Sequence, residues 1–391
     1  MGLALQLAER ARGQTHPNPV VGAVVVEGEK IVARGWHRRA GGPHAEILAL
    51  DALGRRAPRA TLYVTLEPCC HTGRTGPCTE RVLAAGIKRV VVGCLDENPL
   101  VAGKGIRRLR RAGVQVDVGC LQRECRSANR GFFRWIQEGR PQVTLKAAAT
   151  LDGFIAPRQK NGAANGQIRS PQIHWITGPA ARLAAHRLRA GHDAILVGVG
   201  TVIADDPQLT VRLPADELSP ARPPLRVVLD GHLRTPAGAR LLGDRQAPLL
   251  VVTAAPESLG LSAGQRRART RREQTLRRAG AELLALHTPR DGRIPLPALL
   301  AALGERQIQT LLVEGGSQVH GAFIAQRLVD EVAVFLAPRL QGGGVPLTAG
   351  PALPWGAPLQ LGPLNVEPLS GDILLRAEVE PASTGVSRRK A

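Results

Sequence analysis

The chain has 391 residues, enough for two domains that each bury a core of their own. Its 43% hydrophobic content is ordinary for a globular protein, no apolar run is long enough to span a bilayer, and the first residues lack a signal-peptide pattern. The formal net charge of +20 invites a nucleic-acid partner, but the basic residues are overwhelmingly Arg and dispersed, which points to compositional bias rather than a binding patch.

In chain order, residues 3–12 suit a short helix, followed by the loop His16-Pro17-Asn18-Pro19. An apolar strand over 20–26, a Glu27-Gly28 turn and a strand over 31–35 make a hairpin. Pro43 breaks the chain, and the helical spacing of 45–53 puts His44 and Glu46 at a helix N-terminus. A β-rich strand over 61–66 runs into Pro68-Cys69, and a helix over 79–85 begins just after Cys78. A strand over 89–93, a helix over 105–112 and a strand over 115–119 complete an α/β sandwich. Gly139-Arg140-Pro141 reads as a domain boundary. Beyond it a second α/β unit has strands over 142–149, 193–198, 225–229, 249–253, 282–286, 309–313 and 331–336. Residues 158–172 lack an apolar period and read as a flexible insertion, and the Arg-rich run 266–278 reads as an exposed helix face. The expected organisation is a first domain over 1–140, a second over 141–380, and a disordered tail over 381–391.

The chemistry concentrates at His44-Ala45-Glu46, Pro68-Cys69 and Cys78. Zinc catalysis needs three protein ligands and an open position for water, and one imidazole with two thiolates is such a set. Glu46, two residues beyond the His, is placed to shuttle a proton without binding metal, as in zinc deaminases. Two helix N-termini facing the site favour thiolate. The bland alternative is that the cysteines are buried thiols and His44 a surface histidine. The six cysteines, at 69, 70, 78, 94, 120 and 125, do not have the spacing of a disulfide framework, so a reducing, cytoplasmic setting is expected. Eight residues separate Cys69 from Cys78, and the polar, basic loop between them is placed to touch a substrate. In the second unit Glu314-Gly315-Gly316-Ser317 follows a strand and precedes a helix, where backbone N–H groups can approach a phosphate, although turns need glycine too. It is not G-x-G-x-x-G, so no Rossmann domain is implied.

The first half resembles the deaminase domain of the bifunctional riboflavin-biosynthesis deaminase/reductases. The resemblance rests on His16-Pro17-Asn18-Pro19-Val20-Val21-Gly22, Gly35-Trp36-His37, Pro43-His44-Ala45-Glu46 and the Glu67–Cys78 run with its long gap. It implies a cytidine-deaminase-like α/β/α sandwich with His44, Cys69 and Cys78 holding one zinc ion and Glu46 moving the proton. Asn18, His37, His71 and Arg74 would hold the pyrimidine and its ribosyl phosphate, though each alone could be a turn or surface residue. The chain starts a few residues later than is usual in that family.

The second half resembles the reductase domain of the same enzymes, with a dihydrofolate-reductase-like fold. The matching stretches include Leu145-Lys146, Thr150-Leu151-Asp152-Gly153, Trp175-Ile176-Thr177-Gly178, Arg187-Leu188-Arg189, Gly200-Thr201-Val202, Ala204-Asp205-Asp206-Pro207, Leu209-Thr210-Val211-Arg212 and Val313-Glu314-Gly315-Gly316-Ser317. The resemblance implies that Ala148, Trp175, Thr201, Asp205, Gly316, Ser317, Gln318, Val319, His320, Gly321 and Ala322 contact NADPH. Arg189, Leu209, Arg212 and Glu314 would contact the sugar phosphate, paired arginines suiting a phosphate dianion, and Lys146 would assist at the sugar carbonyl or else be an ordinary lysine near a strand end. Two departures stand out: Ile173 and Gly231 occupy positions where the family commonly has Ser.

The implied activity is zinc-dependent deamination of 2,5-diamino-6-ribosylamino-4(3H)-pyrimidinone 5′-phosphate, then NADPH reduction of the ribosyl to the ribityl chain. Small-molecule substrates, no nucleic acid and no membrane are expected, and a homo-oligomer stays open. Two alternatives remain at this level: a deaminase with an impaired reductase, prompted by Ile173 and the insertion, and a nucleic-acid-directed deaminase or binding protein, prompted by the charge.

Overall fold

A computed structural model describes residues 1–71, 76–157 and 175–380. Arg74, Ile173, the insertion expected over 158–172 and the tail expected over 381–391 lie outside the described residues. The chain divides into two compact units, one of Met1–Pro141 with Pro220–Arg222 and Gln307–Gln309, the other of Gln142–Ser219, Pro223–Arg306 and Thr310–Ala391.

The first unit runs α1 (Gly2–Glu9), β1 (Gly22–Glu27), β2 (Lys30–Trp36), α2 (Ala45–Leu53), β3 (Ala60–Leu66), α3 (Cys78–Ala84), β4 (Arg89–Cys94), α4 (Lys104–Arg111), β5 (Gln115–Val118), α5 (Gln122–Ala128) and α6 (Arg130–Glu138). Its sheet has the order β2-β1-β3-β4-β5, antiparallel across β2, β1 and β3 and parallel from β3 to β5. Side chains alternate along β1: Ala23 and Val25 join the core that α2 packs on, while Val24 meets Ala4 and Leu7 of α1. Helices therefore cover both faces. Helix α2 starts at an extended His44 and ends at Gly54 in the left-handed conformation, φ 68°. It lies directly on β2, since a Cβ at Gly35 would sit 2.5 Å from the Ala49 backbone nitrogen. That close approach brings the start of α2 down to the end of the strands.

The second unit runs β6 (Gln142–Thr150), β7 (Phe154–Ala156), α7 (Pro179–Ala190), β8 (Ala194–Gly198), α8 (Val199–Asp205), β9 (Leu225–Leu229), α9 (Arg240–Gly243), β10 (Leu249–Ala254), α10 (Ala263–Arg278), β11 (Glu282–Leu286) and α11 (Leu296–Glu305). It continues through β12 (Thr310–Gly315), α12 (Ser317–Ala325), β13 (Glu331–Ala337), β14 (Val345–Pro346), β15 (Asn365–Leu369) and β16 (Asp372–Glu378). Among the described residues the main sheet has the order β11-β10-β9-β8-β12-β6-β13-β16-β15, parallel from β11 to β13 and antiparallel at β16 and β15. A parallel sheet covered on both faces needs apolar strands throughout, and β8, β10 and β12 are almost wholly buried. In such sheets ligands bind at the carboxyl ends of the strands.

One expectation needs correction. The Arg-rich helix α10 is exposed along most of its length, but Arg269 is buried. Its guanidinium donates to Thr253 Oγ1 at 2.8 Å and to the Ala254 carbonyl, and pairs with Glu273 at 3.1 Å. An arginine two turns before the apolar Leu276 ties the helix to the end of β10.

Candidate active sites

In the first unit two helix starts and the segment after a strand converge. His44 caps α2, Cys69 follows β3, and Cys78 is the first residue of α3. Their ligand atoms all lie within 4.8 Å of one another. His44 Nδ1 is 3.2 Å from Cys78 Sγ and 3.6 Å from Cys69 Sγ, and the Cys78 backbone N–H points at Cys69 Sγ over 3.4 Å. Hydrogen bonding with Cys78 brings the Cys69 thiol down to about 4 against the opposing effect of burial, with His44 assisting. One imidazole and two sulfurs, one of them fully buried, fit a zinc ion by donor chemistry, and three ligands leave the fourth position open.

Glu46 is the second residue of α2 and only 3% exposed. Burial, reinforced by the Cys69 charge, pushes its carboxyl up to about 7. A carboxyl in that range takes up and releases a proton near neutrality. His37 is buried beside the trio, its ring 5.4 Å from that of His44 and edge-on to it. His37 Nδ1 lies 3.0 Å from the Pro43 carbonyl, which can only accept, so Nδ1 carries the proton and Nε2 accepts from Asn18 Nδ2 at 3.1 Å. Burial keeps the ring below its usual pKa, hence neutral. His71 is exposed at the start of the loop between the two cysteines.

Glu67 was not singled out by the sequence, although it stands two residues before Cys69. It is 4% exposed, and its carboxylate accepts the backbone N–H groups of Asp96, Gly103, Gly105 and Ile106 at 2.8–3.3 Å. This fastens the Cys69 loop to the start of α4. A Cβ at Gly105 would lie 2.0 Å from the Pro68 carbonyl oxygen, so the contact tolerates only glycine.

In the second unit a cleft of about 1190 Å³ opens at the carboxyl ends of β9, β8, β12 and β6. Lys146, Ala148, Trp175, Arg189, Thr201, Asp205, Arg212, Glu314 and Gly316 to His320 all line it. Three other expected residues do not. Leu209 is buried in the core, and Gly321 packs where a Cβ would meet the Ala349 carbonyl at 1.9 Å; Ala322 lies on the same helix, away from the cleft wall.

Glu314 is the electrostatic centre of this cleft. Arg189 grips it bidentately, Nε at 2.5 Å and Nη2 at 2.8 Å, and Lys146 Nζ is 3.6 Å away. Burial would raise the carboxyl, but the two cations outweigh it and hold Glu314 at about 2. Arg189 spends its remaining nitrogen on the Thr210 carbonyl at 3.0 Å. The two arginines expected at the phosphate both line the cleft: Arg189 is paired with Glu314, and Arg212 donates to Gln208 Oε1 at 3.1 Å. Its guanidinium lies 3.3 Å from His186 Nε2. His186 was missed by the sequence reading, though it sits one helical turn before Arg189 on α7. Burial and the arginines on either side push its imidazole down to about 4.

At the start of α12 the Gly315–Gly316 peptide is cis, and Gly316 approaches Thr201 so closely that a Cβ would sit 3.3 Å from its hydroxyl. Ser317 Oγ and His320 Nε2 are buried there without partners among the described residues. An orphaned hydroxyl beside a helix N-terminus fits a phosphate of a dinucleotide, whereas His320, whose Nδ1 donates to the Leu347 carbonyl, leaves Nε2 as an acceptor. Trp175, 55% exposed, lies under the Arg182 guanidinium at 4.6 Å.

The model of the cytidine and deoxycytidylate deaminase zinc-binding region matches residues 1–94, and that of the RibD C-terminal domain matches residues 141–375. The chain is 43% identical to riboflavin biosynthesis protein RibD of Aquifex aeolicus over 345 residues, which cover 88% of each. It is 40% identical to RibD of Escherichia coli over 350 residues, again 88% of each. Among solved structures, Acinetobacter baumannii RibD is 36% identical with a TM-score of 0.80, covering 97% of this chain and 98% of that one. The deaminase/uracil reductase of Thermotoga maritima is 34% identical with a TM-score of 0.77, covering 97% of both.

Proposed function

This chain belongs to the family of bifunctional riboflavin-biosynthesis deaminase/reductases, and from that premise we infer which of its residues run the two reactions. It is an enzyme that deaminates and reduces a pyrimidine intermediate of riboflavin synthesis. The substrate of the first step is 2,5-diamino-6-ribosylamino-4(3H)-pyrimidinone 5′-phosphate, whose exocyclic amine leaves as ammonia as water adds. The convergence of His44, Cys69 and Cys78 beside buried Glu46 carries this half. Zinc, when bound, supplies an ionised water at neutral pH. Glu46 takes a proton and returns it to the departing amine, a task its raised pKa supports. Asn18 and neutral His37 orient the pyrimidine, and His71 and Arg74 serve the ribosyl phosphate.

In the second step NADPH, when bound, would supply a hydride for the ribosyl C1′, and the protein aligns the two reactants. The α12 N-terminus and Ser317 receive the cofactor's phosphates, with Ala148, Trp175, Thr201 and Asp205 along the same walls. Lys146, whose ammonium burial makes more acidic, stands by Glu314 to supply a proton at the sugar end. Arg212 holds the phosphate. Six free cysteines support a reducing, cytoplasmic setting, and no described helix is long and apolar enough to cross a membrane.

The test is to give zinc-loaded protein the diaminopyrimidinone ribosyl phosphate with NADPH and to follow ammonia together with the nicotinamide absorbance. Ammonia followed by loss of NADPH is expected. Ammonia alone would overturn the reductase assignment, and no ammonia would overturn the deaminase.

A further inference from the structure

We propose that Gln309 is a positioning residue of the deaminase, holding from late in the chain the turn that presents Asn18 to the pyrimidine. This rests on the reading of Asn18 above and deepens it. Gln307–Gln309 belong to the first unit although they lie between α11 and β12, and Gln309 is only 7% exposed. Its Nε2 donates to the Pro17 carbonyl at 2.6 Å, across 292 positions of sequence.

That bond bears on Asn18 through the geometry of one peptide. The Pro17 carbonyl and the Asn18 N–H belong to the same planar unit. Gln309 holds the unit at its oxygen, and the buried Thr15 holds it at its nitrogen, its carbonyl accepting the Asn18 N–H at 2.8 Å. A plane fixed at both edges fixes the direction in which the Asn18 Cα leaves it, and so where the side chain starts. From there Asn18 Nδ2 reaches His37 Nε2 at 3.1 Å, and His37 Nδ1 reaches the carbonyl of Pro43, the residue before His44, at 3.0 Å. Hydrogen bonds therefore run from Gln309 through the pyrimidine-holding pair to the peptide that leads into the metal trio.

A second late segment steadies the same loop. Pro220–Arg222 also belong to the first unit, and the Ala221 N–H donates to the Gly13 carbonyl at 3.1 Å. The loop between α1 and β1 is thus fastened at two points by residues that follow α8 and α11. Loosening it costs the fit of the ring rather than the proton transfer, because Glu46 and the metal trio are carried by α2, α3 and the segment after β3.

Steady-state kinetics of the whole, zinc-loaded chain test this. Ammonia release from the diaminopyrimidinone ribosyl phosphate is measured for the unaltered chain, Gln309→Met, Gln309→Asn and Asn18→Ala. Met keeps the length and loses the donor; Asn keeps the amide but falls one methylene short. NADPH-dependent reduction of the deaminated product is followed alongside, because Gln309 directly precedes β12, whose other end carries Glu314. Both Gln309 variants should raise the KM of deamination roughly 3- to 10-fold, with kcat and bound zinc unchanged and the reduction as it was. A KM that moves in neither variant overturns the assignment. So does a loss of reduction that matches the loss of deamination, the mark of a general disturbance. Asn18→Ala separates the two readings. If it raises KM while the Gln309 variants do not, only the role of Gln309 falls; if it leaves KM unmoved, the substrate contact of Asn18 falls and takes that role with it.

Discussion

Glu46 and Glu314 are both buried carboxyls, yet their neighbours push them in opposite directions. Burial, with the Cys69 charge adding to it, raises Glu46 to about 7, so it exchanges protons readily. Replacing it with Gln should lower ammonia release about 10²- to 10⁴-fold while metal content stays unchanged; a matching loss of metal would instead make Glu46 a ligand. Glu314 is held at about 2, below its ordinary 4.5, by Arg189 and Lys146. A depressed carboxyl stabilises the fold fully above about 4.5, and that contribution fades as pH falls towards 2. Glu314→Gln strands a buried guanidinium and should cost about 3–5 kcal/mol at neutral pH. In urea unfolding the gap between this variant and the unaltered chain should narrow as pH drops through 4.5; a gap independent of pH would refute the ion-pair account. The metal trio is legible in sequence because its ligands sit on short motifs of fixed spacing. The Arg189–Glu314 pair is not, because 125 residues separate the partners and nothing local marks them as facing each other.

Strands and helices around the first site follow from apolar period and punctuation, and α2 begins and ends where Pro43, His44 and Gly54 mark it. What local pattern does not reveal is which elements press together. Glu67 joins the loop after β3 to the start of α4, and Gly105 permits that junction by lacking a side chain. Gly105→Ala must displace the Pro68 carbonyl and with it Cys69. The cost in stability should be about 1–3 kcal/mol, and zinc should be lost to a chelator at roughly 10- to 100-fold lower chelator concentration. Gly264→Ala, at an exposed helical position with nothing within 4 Å, should leave zinc retention as it is. Arg269 escapes the sequence for the same reason: composition suggests a solvated helix, and only its packing against the end of β10 decides otherwise.

Across the whole chain the two reactions draw on separate sets of side chains, the metal trio all before residue 80 and the cleft all after residue 145. Stripping zinc with a chelator should abolish ammonia release and leave the dissociation constant for NADPH unchanged, measured by titration; a linked loss would mean that the sites share more than a polypeptide. The order of strands in the second sheet has a different bearing, on the manner in which the protein is made. β6, near the middle of that sheet, emerges first, but its two neighbours are β12 and β13, which are translated some 160–190 residues later. The sheet of the first unit needs nothing beyond β5, so it can assemble on the ribosome while the second is still without a centre. A ribosome stalled before β12 would hold a finished deaminase fold joined to an uncoupled set of strands, and a chaperone would find its client in that second segment alone.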